Sequence, residues 1–161
     1  LALLETLTQE LAQTRPYHWG KNICIRKTLL PLIEKAREDG ISVMADLSLA
    51  LHLPFEQELA QAAARLVGAA ITVSLTQDKT RRSITVIARQ TDTTVMLLVG
   101  HRQTAPVTVD AEGRPQDGPY AEAIPALHQF MVRHQGVGQY TCKKGWIVAN
   151  LRIPCEGGAA V

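Results

Sequence analysis

A chain of 161 residues with 46% apolar and 20% charged side chains has the length and balance of one folded domain, which excludes a disordered or fibrous protein. Its net charge of +2 is too small to point to nucleic acid or an acidic membrane surface. No apolar run is long enough to span a bilayer, and the three cysteines (Cys24, Cys142 and Cys155) are too scattered for a disulfide framework or a zinc site, which fits a reducing compartment.

In chain order, Leu4, Leu7 and Leu11 fall on one helical stripe within residues 1–13, with Leu1 and Leu3 beside it, a short heptad-like seam. Two readings stay open, a helix packed on its own domain and a self-association helix. Because the chain starts at Leu1, it is expected to be a piece of something longer. Arg15-Pro16 breaks the helix, since the residue before proline avoids helical geometry. Ile25, Leu29, Ile33 and Ala36 then share a face over 22–39. Pro31 is expected to kink or split that helix, and Gly40 to cap it. Ile41, Val43, Ala45 and Leu47 alternate as a half-buried strand does, and His52 and Pro54 lie in the following loop. The clearest helix covers 55–70, where Phe55, Leu59, Ala62, Ala63, Leu66, Val67 and Ala70 keep helical spacing. The β-branched content of 71–77 by itself argues for strand.

Asp78 to Arg82 reads as a charged turn rather than a phosphate site. Two apolar strands follow at 83–90 and 94–100, joined by a tight turn at Thr91-Asp92-Thr93. Residues 100–118 are rich in Gly, Pro, Asp and Gln and read as a loop, with Val107 to Val109 as a candidate extra strand. Over 119–134, Leu127, Met131 and His134 recur at helical spacing near Ile124 and Phe130, and Gly136 is expected to take the left-handed cap. Lys143-Lys144-Gly145 predicts a hairpin turn. Trp146, Val148, Asn150 and Arg152 then alternate with Ile147, Ala149, Leu151 and Ile153 up to Pro154. Trp146 is expected to be buried between this strand and the helix at 124–134. Residues 157–161 read as a loose tail.

The order of elements over 119–154 resembles the C-terminal end of the ATP-binding domain of sensor histidine kinases, in particular the accessory-gene-regulator type that senses peptide pheromones. That family reads roughly H-G-x-G-L, a helix ending in G-G, a strand, D-G-W and a closing strand. Here Tyr120-Ala121-Glu122-Ala123-Ile124, Gly136 and Gly145-Trp146 stand at those places. Asn22, Ala36, Gly40 and Ile41 match the family's first ATPase-domain helix. Its pocket helix carries N-L-L-x-N-A, where this chain has Arg65-Leu66-Val67-Gly68-Ala69-Ala70. The resemblance also implies that this helix continues through 71–77. At the family's D-x-G-x-G, whose aspartate would bind the adenine amino group, this chain has Val99-Gly100-His101-Arg102, and neither Asp110 nor Asp117 begins such a motif.

The likeness to the GHKL ATPase superfamily implies an α/β (α+β) two-layer sandwich of the Bergerat type, a mixed and mainly antiparallel sheet with helices on one face. It divides the chain into a helical lead-in at 1–20, which on the self-association reading ends a dimerisation helix, an ATPase-like domain at 21–156 and a tail at 157–161. The metal, adenine and phosphate contacts are altered together at Arg65, Ala69, His101, Ala121 and Ala123, so these are vestigial nucleotide positions, with no catalytic and no metal-binding residue. Phosphoryl transfer rests on positioning, a metal and neutralised phosphate charge, each of which has lost its residues here. The leading reading is therefore a degenerate, cytoplasmic histidine-kinase-like domain of a two-component system. It would act by homodimerisation or by contact with a response regulator or other signalling protein, without cofactor, nucleic acid or membrane contact. The alternatives are a divergent kinase that still takes ATP and magnesium, and an anti-sigma-factor-like protein-binding module.

Overall fold

The computed structural model describes residues 17–50, 52–143 and 145–155. The leucine stripe, the Arg15-Pro16 break, Lys144 in the hairpin turn and the 157–161 tail lie outside them.

Helix α1 spans Ile23–Glu38. It starts at Asn22, whose side-chain oxygen accepts the Ile25 N–H at 3.0 Å, satisfying one of the free donors of a first turn. The amide of Asn22 donates to the Ala50 carbonyl at 3.0 Å and to Glu56 at 3.1 Å, so one buried cap ties together three segments. Ile25, Leu29, Ile33 and Ala36 are the buried face, as their spacing predicts. Pro31 does not split the helix. It sits on the exposed side, where water can satisfy the carbonyl its missing N–H leaves free. Gly40 ends the helix at φ 84°, with its own N–H on the Arg37 carbonyl and the Ile41 N–H on the Ala36 carbonyl.

Strand β1 is the pair Tyr17–His18, and β2 is Ser42–Ser48. Helix α2 spans Glu56–Ser74, so residues 71–74 are helical as the resemblance implied against local propensity, while 75–77 lie in the turn beyond it instead of continuing the helix. Thr72 fits because its hydroxyl donates back to the Gly68 carbonyl at 2.9 Å, and Ala69, Ala70 and Ser74 are buried. A single 3₁₀ turn at Lys79–Arg81 leads to β3, Ser83–Gln90, then to β4, Thr94–Arg102. Arg82 caps two helices at once. Its guanidinium donates to the carbonyls of Gln77 at 3.1 Å and Leu75 at 3.0 Å beyond α2, and of Asp39 at 3.3 Å beyond α1. A cation there also complements the negative ends of both helix dipoles. Helix α3 is Tyr120–Arg133, β5 is Val137–Lys143 and β6 is Trp146–Pro154.

The six strands form one sheet in the order β1-β2-β3-β4-β6-β5. The β1–β2 and β2–β3 pairs are parallel and the other three antiparallel, so the sheet is mixed and mainly antiparallel. All three helices lie on one face, where Leu29, Ile33, Leu59, Leu66, Leu97, Leu127 and Leu151 join one continuous core. The 103–118 segment holds an isolated Val109–Pro115 bridge rather than a strand at Val107 to Val109.

Two expectations change. Trp146 is not beneath α3. The side-chain period of two turns Ile147, Ala149, Leu151 and Ile153 towards the helices, so Trp146 falls on the opposite face. There it packs half-buried with Ile87, Leu98, Val148, Met44 and Met96, with the Arg102 guanidinium 5.2 Å from its ring centroid. And the left-handed residue after α3 is Gln135 at φ 56°, not Gly136. Gly136 is needed for space instead: a Cβ there would lie 2.7 Å from Met131 Cε and 3.0 Å from the Arg152 carbonyl oxygen.

Candidate functional site

Strand β4 carries His101 at its end with the ring on the helix side, and α3 begins at Tyr120. Both are buried, His101 fully. The His101 Nδ1 lies 2.9 Å from the Arg102 carbonyl and its Nε2 lies 2.7 Å from the Tyr120 hydroxyl. A carbonyl only accepts, so Nδ1 carries the proton and Nε2 accepts from Tyr120. The rings lie almost parallel, 11° apart with centroids at 6.0 Å. Burial depresses the His101 pKa, only partly opposed by the bond to the Arg102 carbonyl, and the imidazole is held neutral. Burial likewise pushes the Tyr120 phenol upward. Neither group is poised to exchange protons near neutrality.

The five positions singled out in the sequence divide. Ala69, Ala123 and His101 are buried, with Ala69 and Ala123 in the same core as Tyr120. Arg65 and Ala121 are exposed. Arg65 stands on the solvent side of α2. Glu122, exposed beside Ala121, adds negative charge to the first turn of α3, the place where free N–H groups would otherwise favour an anion.

The segment between β4 and α3 folds over this region. Gln77, buried at the end of α2, accepts the Thr104 N–H at 3.3 Å and the Thr104 hydroxyl at 3.1 Å, and donates to Gln103 at 3.3 Å. Further on, Asp110 accepts the N–H groups of Glu112 and Arg114 and the Arg114 side chain at 2.7 Å. Partial burial pushes the Asp110 carboxyl up, but those bonds to Arg114 and Glu112 prevail and hold it below its ordinary value. Asp117 accepts the Thr108 N–H at 2.8 Å. The cavity between this segment and α3, lined by Asp110, Arg114, Gln116, Tyr120, Ala121 and His128, measures about 240 Å³. Ligand pockets usually hold roughly 300–1,000 Å³. Its one guanidinium, Arg114, is already paired with Asp110 and Glu112. Among the described residues no group of three or more His, Cys, Asp or Glu side chains could hold a metal ion.

This architecture matches that of histidine kinase catalytic domains. The nucleotide-free catalytic domain of histidine kinase ThkA superposes with a TM-score of 0.59 at 15% identity, covering 84% of this chain and 93% of that one. Acinetobacter baumannii histidine kinase AdeS superposes at 0.60 with 12% identity over 95% of this chain and 76% of that one. Full-length ShkA, solved with AMPPNP, gives 0.57 at 17% identity over 99% of this chain and 37% of that one. The chain has the histidine kinase catalytic-domain fold. At these identities the likeness is one of fold. No protein-family model and no curated protein matches the sequence.

Sequence reasoning placed His101 at a lost adenine contact but did not pair it with Tyr120, and it passed over Gln77. The available signal was an aromatic residue standing where the family motif opens, with an imidazole at the aspartate position.

Proposed function

We propose that this is a degenerate histidine-kinase-like ATPase domain of a two-component signalling protein, one that takes up neither ATP nor magnesium and acts by self-association or protein contact. The observation that carries the reading is the His101–Tyr120 pair. An adenine contact at the end of β4 needs a side chain free to face the base, and His101 spends both ring nitrogens on the protein itself. The buried methyl groups of Ala69 and Ala123 and the committed Arg114 support it, since none of these supplies uncommitted positive charge. A cytoplasmic setting and a response regulator or other signalling protein as partner belong to the same proposal. No helix of the described residues is long and apolar enough to cross a membrane.

Titration with millimolar ATP and magnesium, followed by calorimetry and thermal shift, is expected to give no heat and no stabilisation. A micromolar Kd abolished by Arg65→Ala overturns the proposal in favour of a divergent kinase. For the self-association part, sedimentation is expected to show a dimer that weakens when Leu7 and Leu11 become polar. A monomer at all concentrations removes that part.

A further inference from the structure

The helix-free face of the sheet holds an opening of its own. A groove of about 560 Å³ runs over the ends of β3, β4 and β6 to the start of β5, with Arg89, Thr94, Met96, Gln135, Val137 and Arg152 in its lining. Register sets Arg89 and Arg152 on either side of Met96 on three adjacent strands, so their α-carbons are about 10 Å apart at the usual strand spacing. Arg89 gives Nε and Nη2 to Asp46 at 3.3 and 3.2 Å, leaving Nη1 uncommitted among the described residues. Arg152 is exposed and has no acidic partner among them. Among the described residues no carboxylate lines the groove. Val137 is 61% exposed at its rim.

Gln135 adds a second observation. The left-handed position after a helix is where glycine is favoured, since a Cβ is strained there. This chain places glutamine at it, with the glycine one step later, and the glutamine side chain lines the groove.

We infer that this groove binds an extended segment of a partner protein that carries carboxylates on either side of an apolar residue. The carboxylates meet Arg152 and the free edge of Arg89, a charge-assisted contact for which guanidinium is suited. The apolar residue rests on Met96 and Val137. The amide of Gln135 and the hydroxyl of Thr94 both donate and accept, which matches a peptide backbone better than a simple anion. Two arginines without an aromatic stacking surface give a nucleic acid little to hold. The inference stands apart from the nucleotide proposal: ATP titration tests that one, and the experiment below leaves ATP out.

The test is selection of a random-peptide phage library on the wild-type protein, followed by titration of one synthetic consensus peptide. Enriched sequences are expected to place Asp or Glu on either side of an apolar residue. Affinity is expected to fall at least about tenfold in Arg152→Glu, the scale of one lost charged hydrogen bond. Arg65→Glu, on the far side of the molecule, leaves it unchanged. Gln135→Gly weakens binding while raising the melting temperature, a combination that a merely structural role does not produce. Selection that enriches no acidic sequences, or a peptide that binds Arg152→Glu as tightly as wild type, overturns the inference. So does displacement of the peptide by inorganic phosphate at comparable concentration, which marks the groove as a simple anion site.

Discussion

On the helix side of the sheet, His101 and Tyr120 close on each other and the neighbouring positions are methyl groups in the core. On the helix-free side, Arg89 and Arg152 stand beside Met96 over an open groove. Both regions use the ends of the same strand, β4. What separates them is which side chains project: on one side His101 and Tyr120 spend their polar atoms inside the protein, on the other the Arg152 guanidinium has none of its bonds spent among the described residues. A shared backbone frame therefore does not carry a shared chemistry, and a site has to be argued from its own residues.

The sharpest way to probe the contrast is with two neighbours on β4. Leu97 and Leu98 are each 1% exposed but point to opposite faces. Leu97→Ala opens a cavity in the large core and is expected to cost about 3–5 kcal/mol, whereas Leu98→Ala, in the small cluster around Trp146, is expected to cost about 2–3 kcal/mol. Urea denaturation of both variants checks this, and equal losses would erase the difference in packing between the faces. Next in size is Tyr120→Phe. It strands the acceptor Nε2 of His101 in the interior and is expected to cost about 1–3 kcal/mol. If it proves neutral, the pair does not hold the pocket side closed.

His101 also gives that side a pH signature. Its folded pKa lies below the ordinary histidine value of 6.5. The unfolded chain thus takes up the proton first as pH falls, and stability declines with it. The contribution is complete above 6.5 and is lost as pH drops from there through the depressed folded value, with a slope of up to about 1.4 kcal/mol per pH unit. Melting followed from pH 8 to 5 is expected to show this decline, reduced in His101→Gln, and a flat profile contradicts the neutral buried imidazole. The smallest effects belong to the other face. Arg102→Ala removes a cation placed over Trp146 and is expected to cost about 0.5–1 kcal/mol. Arg152→Ala, exposed and unpaired among the described residues, is expected to stay within about 0.5 kcal/mol; a larger loss means that Arg152 holds structure rather than ligand.

Much of the frame was legible because it rests on periodicity. Ile25, Leu29, Ile33 and Ala36 bury as their spacing requires, and Ile41, Val43, Ala45 and Leu47 face the core in alternation. Residues 71–74 needed the family likeness, since propensity alone misreads a helix tail whose Thr72 bonds back along it. Trp146 was misplaced on its size alone: it shares its face of β6 with Asn150 and Arg152, while the wholly apolar set Ile147, Ala149, Leu151 and Ile153 is the one the helices cover. Gln135 was missed because a left-handed glutamine costs more than a glycine and local rules assign the glycine. The groove was out of reach altogether: Arg89, Met96 and Arg152 are separated in sequence and meet only through the register of three strands.

The strand order also bears on how the chain reaches this structure. The turn at Thr91 to Thr93 joins β3 to β4, closed by the Thr91 N–H on the Thr94 carbonyl at 2.8 Å, and β5 pairs with β6 as a second antiparallel neighbour close in sequence. Such hairpins form within about 1–10 μs. The parallel pairing of β2 with β3 must wait for residues 49–82 to come round with α2, so the closure entropy is spent before any ladder bond returns it. The antiparallel strands are thus expected to nucleate folding and the N-terminal layer to dock last. In rate measurements, truncations at Val86 or Leu97 should chiefly slow refolding, while truncations at Ile33 or Val43 should chiefly hasten unfolding. The end of the sheet that carries β1 and β2 would then be the first to let go.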